Sequence, residues 1–539
     1  MVGFAPRAVR RVTPQTRFPA AGRHRVVPAP RSDRTLRASM QAYAILSARF
    51  ARLGALGDAA GLLHWDRQTL MPAGAAEMRA EQLAHLAVIG HEILTAAETG
   101  DLIARSLDDA ASLGPWERAN LREMRRAYLH AAAVPADLVA ASSKASSHSG
   151  MIWREARARA DFAMLAPALG ETLRLQREVG VAKGSALGLD PYDALLDGYD
   201  PGMRRGTIDP LFAQLRAALP DLIAAAHARQ AREPAPLPLT GPFPVAGQKA
   251  VGERLMRAVG FDFERGRLDV SLHPFCGGAT DDVRITTRYD DADATSALMG
   301  VLHETGHALY EQGLPAAWHH QPVGTARGMT LHESQSLLVE MQACRSEAFC
   351  AYLAPILAEA FGREGPAWSA RNLYRCYTRV APGFIRVDAD EVTYPAHILL
   401  RYALETAMIA GDLAVSDLPG AFNDGLHDLL GLTVPDDRQG CLQDIHWPSG
   451  SFGYFPTYTL GAMAAAQLFR AAREQVPSVP ADLTRGDFTA LRGWLRDAVH
   501  ARGSLLETDD LLIAATGKPL GAQDFMDHLR LRYLGEGAV

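Results

Sequence analysis

Apolar residues recur at helical spacing along most of this chain. From Met40 to about Arg232 an Ala/Leu-rich amphipathic pattern is broken at Met71-Pro72-Ala73-Gly74, Leu113-Gly114-Pro115 and Gly198-Tyr199-Asp200-Pro201-Gly202, which predicts helices joined by turns. A Pro-rich segment, Glu233 to Pro244, is the clearest internal boundary, and a second helical stretch follows from about residue 245. Val283, Ile285, Thr287 and Tyr289 then alternate with Asp282, Arg284, Thr286 and Arg288, the period of a half-exposed strand. Asp291, Asp293 and Thr295 offer cap oxygens to a helix whose apolar stripe is Leu298, Val301, Leu302, Leu309 and Tyr310, with Gly313 and Pro315 ending it. After Trp318 loops and helices alternate to the C-terminus, and Trp447 to Gly461 is crowded with aromatic residues and glycine. No short-period repeat is present, and the Leu and Ala stripes read as core.

Composition bounds the function without naming it. The 539 residues are 48% hydrophobic and 22% charged, ordinary for a soluble globular protein, and no apolar run reaches transmembrane length. No seam divides the helical pattern into separate domains, so residues 40–539 are expected to form one large unit. Net charge is −6, but residues 1–38 carry nine arginines and one aspartate, leaving −14 on the remainder. An acidic folded part argues against nucleic acid as the main partner. Residues 1–39 are Arg- and Pro-rich without periodicity, and are expected to be a disordered leader or to precede a true start at Met40. Five cysteines, with no metal-binding CxxC pair, suit a reducing cytoplasm.

The predicted helix after the strand carries His303-Glu304-Thr305-Gly306-His307. Four residues turn through about 400° on an α-helix, so both imidazoles share one face and can share one ion. Glu304 falls beside the open coordination position, where it can take a proton from water. A strand just upstream of such a helix can pair with an extended peptide, which places the Asp282–Tyr289 segment next to a substrate. Catalytic zinc needs a third protein donor. Glu333, Glu340 and Glu347, at seven-residue steps, are candidates, and His332 is a rival; Glu340 can instead orient a ligating histidine. Spacing alone leaves the choice open. For an oxyanion, His446, Tyr454 and Tyr458 in the aromatic patch are candidate donors.

Further short motifs occur in order: Trp65-Asp66, Met71-Pro72, His273-Pro274-Phe275, Asp282-Val283-Arg284-Ile285-Thr286, the HETGH run, His332-Glu333-Ser334-Gln335, Ile385-Arg386-Val387-Asp388-Ala389-Asp390, and Gly440 through Trp447, which reads GCLQDIHW. Together they resemble the carboxypeptidase Taq family of HExxH zinc metallocarboxypeptidases, from about residue 42 to the C-terminus. The resemblance implies Glu333 as third ligand, Glu304 as general base, and His446 and Tyr458 as catalytic groups. It makes Arg386 the cation for the substrate carboxylate, with Arg284 and Arg401 as alternatives; Arg284, His273 and Tyr454 are further substrate-binding candidates, although His273 and Arg284 can equally shape the strand. It also implies a mainly α, zincin-like fold with a small β-sheet beside a deep groove, and a homodimer. One divalent ion per chain is expected, zinc first, with cobalt or manganese also suited to a His/His/Glu set. One departure stands out: Val339-Glu340-Met341 occupies the place where the family often carries Trp-Glu-Asn.

The expectation is a cytoplasmic metal-dependent carboxypeptidase that uses an ion-activated water, acts on peptides with a free C-terminus, and has no nucleic-acid or membrane partner. An endo-acting zinc oligopeptidase is the alternative within enzymes, and a catalytically silent peptide-binding protein the alternative outside them.

Overall fold

The computed structural model describes residues 33–535. Residues 1–32 of the Arg-rich leader lie outside the described residues, while Asp33 to Ser39, assigned to that leader by composition, belong to the first helix, Asp33–Gln68. Helices dominate, as the spacing of apolar residues predicts. The turns at residues 71–74, 113–115 and 198–202 interrupt them, and the Pro-rich segment joins the helix Arg205–Gln230 to the helix Val245–Val259.

That segment does not separate two cores. The main core joins residues before it, such as Leu165, Tyr192 and Leu215, to residues after it, such as Leu302, Leu353 and Phe525. Burial at helical spacing on both sides is therefore satisfied largely by one shared interior, with a smaller cluster around Leu46, Phe50 and Met124 on the N-terminal side alone. Among the described residues no helix is long and apolar enough to cross a membrane.

Among the described residues three strands form a sheet: β1 (Gly266–Val270), β2 (Cys276–Ala279) and β3 (Asp282–Thr287), in the order β1-β3-β2. β3 runs parallel to β1, with Gly266 opposite Val283, and antiparallel to β2, with Cys276 opposite Ile285. Val283 and Ile285 point into a small core with Met256, Phe261, Val301 and Ala308. The alternation ends early, however. Thr286 is buried, its hydroxyl meeting Ser271 Oγ at 2.7 Å and the Phe275 amide at 3.1 Å, and Tyr289 lies beyond the strand.

The order of strands corrects one expectation. β3 is paired on both sides and has no free edge for a peptide; the unpaired antiparallel edge belongs to β2, and the first helix packs against it at Gly278. Arg284 is likewise turned to a structural task. Its guanidinium is paired with Asp282 and stacks 4.3 Å from the ring centroid of Trp65, which joins the sheet to the first helix.

The HETGH run lies in the middle of the helix Ala294–Gly313, which follows the sheet. Asp293 caps it, accepting from the amides of Thr295 and Ser296 at 2.9 and 3.3 Å. Val301 and Ala308 face the small core, while Leu298, Leu302 and Leu309 face the main one. A helix wedged between two cores is held on almost every side, a rigid base for chemical groups.

Candidate active site

Glu333 sits on the helix Gly328–Leu337, which crosses the motif helix and continues into a π-helical turn, Leu338–Cys344. Two glycines let the backbones approach. A Cβ at Gly306 would lie 2.4 Å from the Gln335 carbonyl oxygen, and one at Gly461, on the helix Pro456–Gln475, would lie 2.7 Å from Glu333 Cβ. Glu333 is thereby pressed toward the two histidines from opposite sides. Arg327, buried at the head of its helix, anchors it through Glu123 at 2.6 Å, the Pro201 carbonyl at 3.1 Å, and Glu507.

His303, His307 and Glu333 bring three donor atoms within 4.8 Å of one another. Nε2 of His307 and of His303 lie 3.3 and 3.8 Å from the same Glu333 oxygen. Donors bound tetrahedrally at ~2.0–2.2 Å stand roughly 3.3–3.6 Å apart, so this set fits a divalent ion. Its electrostatics point the same way. Burial alone would raise the Glu333 carboxyl, but His303 and His307 hold it down to about 2. Burial pulls His307 down to about 4. His303 is also penalised by burial, yet Glu333 and Glu340 outweigh that and carry it up to about 10. A carboxylate and two imidazoles facing one another in this way would be satisfied by positive charge between them.

Each histidine is braced behind its donor nitrogen. Glu340 Oε2 lies 2.9 Å from His303 Nδ1, and its other oxygen accepts from Arg345 at 2.6 Å. His332 is not one of the converging donors; its Nδ1 meets His307 Nδ1 at 2.7 Å. Glu347 opens the next helix, Glu347–Phe361, beyond the π-helical turn, and takes no part. Glu304 is nearly buried, and burial lifts its carboxyl to about 7, with His303 opposing and Glu333 reinforcing the rise.

These groups line a cavity of about 580 Å³ together with Phe275, Cys276, Arg386, Glu391, Tyr394, Tyr454 and Tyr458. Arg386 donates to one Asp444 oxygen from Nε at 3.0 Å and Nη2 at 2.8 Å, and from Nη1 to Tyr394 at 2.8 Å. Arg401, fully buried behind it, reaches the other Asp444 oxygen at 2.6 Å. Two guanidinium groups share one carboxylate, so the cluster keeps a surplus positive charge, and of its two arginines it is Arg386 that reaches the cavity. By contrast, Arg345 is matched by Glu340, and Glu391 by Arg532 and His528.

The other expected residues divide. Tyr454 and Tyr458 reach the cavity; His446 does not, lying behind Tyr458 with Nε2 3.2 Å from its hydroxyl. Burial pushes His446 down to about 4, so it is a neutral neighbour of that hydroxyl. His273 is exposed next to Pro274 and, with Arg284, is absent from the lining. The cavity wall at this point is made instead by Pro274, Phe275 and Cys276. Sequence reasoning missed Asp444 and Glu311. The second had a signal: Glu311 continues the four-residue step of His303 and His307.

Comparison with known proteins places this geometry. Residues 45–533 match the sequence model described as carboxypeptidase Taq (M32) metallopeptidase. Thermostable carboxypeptidase 1 of Thermus thermophilus is 38% identical over 497 residues, covering 90% of this chain and 96% of its own. Carboxypeptidase 1 of Bacillus subtilis is 34% identical over 487 residues, covering 89% and 96%. Among solved structures, Trypanosoma cruzi metallocarboxypeptidase 1 superposes with a TM-score of 0.90 at 40% identity, covering 92% of this chain and 99% of that one. The M32 carboxypeptidase from Deinococcus radiodurans gives 0.85 at 38%, with coverage of 92% and 99%. In sequence and backbone alike, over about nine-tenths of its length, the chain belongs to the carboxypeptidase Taq (M32) family of metallopeptidases.

Proposed function

We propose that this metal-dependent carboxypeptidase holds one divalent ion, zinc by preference, on His303, His307 and Glu333, and releases C-terminal residues from peptides with Glu304 as general base. The observation that carries the reading is the surplus charge of Arg386 and Arg401 over Asp444, delivered to the same cavity as the three donors. A bound ion supplies Lewis-acid polarisation of the scissile carbonyl and a more acidic water.

The chain's own groups do the rest. Arg386 grips the terminal carboxylate, because a guanidinium fixed by Asp444 and Tyr394 keeps its charge while losing its freedom. Glu304, beside His303 on the same helix, takes the water proton and returns it to the departing amine. Its raised carboxyl suits both halves of that transfer. Tyr454 and Tyr458 present hydroxyls to the developing oxyanion, and His446 steadies the Tyr458 hydroxyl from behind. Phe275 spends its carbonyl on the Thr286 amide at 3.0 Å, so alternation turns the amide and carbonyl of Cys276 to the unpaired edge of β2, where an extended peptide can pair.

The ion, assembly and compartment complete the reading. Two nitrogens and one carboxylate favour zinc but admit cobalt and manganese. The helix Ala76–Thr95 buries none of its residues and leaves Met78 66% and Val88 53% exposed, which supports a homodimer built on that face. All five cysteines are free, which suits the cytoplasm. The test is mass spectrometry of a peptide panel, each member free and amidated, after adding back zinc, cobalt or manganese to chelated enzyme. Stepwise loss of C-terminal residues from free peptides alone is expected; internal cleavage of both forms would overturn the exopeptidase reading.

A further inference from the structure

The fourth residue beyond His307 is Glu311, on the same face of the motif helix. Across from it stands His332, next to Glu333 on the crossing helix. His332 Nε2 lies 2.7 Å from Glu311 Oε1, and His332 Nδ1 lies 2.7 Å from His307 Nδ1. The two imidazoles are 4.7 Å apart between centroids and tilted by 37°, with the Tyr310 ring 5.6 Å from His332. These contacts determine where the protons sit. A carboxylate only accepts, so His332 Nε2 carries hydrogen and donates to Glu311. With His332 donating through Nε2, its Nδ1 is placed to accept and His307 Nδ1 to donate between the rings. A ring that ligates through Nε2 keeps its one N–H on Nδ1. With that hydrogen on Nδ1, its Nε2 is bare, and Nε2 is the atom 3.3 Å from Glu333.

We propose that His332, anchored by Glu311, is a positioning residue that selects the metal-binding tautomer of His307 and aims its ring. The inference rests on the reading of His303, His307 and Glu333 as the donor set. It gives the two ligating histidines different supports. His303 is backed directly by Glu340, whereas His307 is backed by an imidazole that relays a carboxylate one residue further away. His332 and Glu340 both line the cavity, so each support stands at its wall.

The test reads metal binding with no peptide present. Apo enzyme is titrated with zinc against a chromophoric chelator, and the visible absorption of the cobalt form is recorded. His332→Ala is expected to weaken zinc binding about 10- to 100-fold, the usual effect of removing such a partner, and to shift the cobalt bands. His332→Asn, whose Oδ1 can accept where Nδ1 stood, is expected to recover most of that loss. Glu311→Leu should follow the alanine variant, while Glu311→Gln, which still offers an acceptor to Nε2, should stay close to the parent. Parent-like zinc affinity and cobalt bands in His332→Ala, or an asparagine variant that folds but binds no better than alanine, would overturn the proposal. His303→Ala separates the two levels: if it still binds zinc as tightly as the parent, the donor assignment itself is wrong.

Discussion

Asp444 holds Arg386 through two hydrogen bonds to a single oxygen, from Nε at 3.0 Å and from Nη2 at 2.8 Å. That bifurcated grip fixes the plane of the guanidinium, and Arg401 on the opposite oxygen ensures that Asp444 does not cancel its charge. Arg386→Ala is expected to cost about 2–5 kcal/mol in kcat/KM on peptides with a free C-terminus, mostly through KM, and little on amidated ones. Arg386→Lys should rescue poorly, since one ammonium cannot span both Asp444 and Tyr394. Steady-state kinetics on matched free and amidated peptides decides this, and an equal loss on both would remove Arg386 from the carboxylate contact.

Glu304→Gln keeps the volume of the side chain and removes its basicity. Turnover should fall by about 10²–10⁴-fold while the ion content, measured by elemental analysis, stays at the parent level. Substantial hydrolysis by the glutamine variant would assign the proton transfer elsewhere.

Gly306→Ala should be severe for its size. The added methyl would meet the Gln335 carbonyl and lie 2.6 Å from Ser336 Cα, main-chain atoms that no rotamer change can move aside. The two site helices must part, so a loss of about 1–3 kcal/mol in stability is expected together with weaker zinc binding. Chemical unfolding with and without zinc checks both; an alanine variant as stable as the parent would deny the close approach.

Glu391, on the cavity wall, accepts from His528 at 2.8 Å, Arg532 at 2.9 Å and the Tyr533 hydroxyl at 2.9 Å. Burial pushes its carboxyl up, but Arg532 and His528 outweigh burial and hold it well below the carboxylate range. A depressed folded value contributes stability that is present above the unfolded value, near 4.5, and lost as pH falls toward the folded one. Glu391→Gln should therefore cost about 3–5 kcal/mol at pH 7 by leaving Arg532 unpaired. Its deficit should shrink below about pH 4.5. Urea unfolding at pH 7 and pH 4 tests the sign, and a deficit that does not change would contradict it.

Local pattern carried the reading of this chain as far as local physics reaches. The motif helix, its Asp293 cap and the break between the helices on either side of the Pro-rich segment depend on neighbours in sequence, and the structure has them where periodicity puts them. The position of β3 between β1 and β2 depends on pairing between distant segments, and a lone alternating stretch is silent about which of its edges is free. Arg284 shows the same limit. Its residue type suits an anion site, but the partner that claims it, Trp65, is over two hundred positions away. Glu340 was legible either as a ligand, beside Glu333, Glu347 and His332, or as a support for a ligating histidine, and only the crossing of the helices shows that it stands behind His303 while Glu333 stands in front. Asp444 lay in a motif already singled out, without a role, because a countercharge is recognisable only beside the charges it serves.

The two unnamed positions of HExxH are usually treated as free. Here Thr305 is buried with its hydroxyl on the Val301 carbonyl at 2.6 Å, and Gly306 has another helix where a side chain would begin. A library randomised at both positions and selected for zinc retention would return small residues at the first and almost only glycine at the second. In this fold the pentapeptide is therefore closer to a five-letter word than to a three-letter one with blanks, and a pattern search that ignores its middle discards information about which helix packs against it.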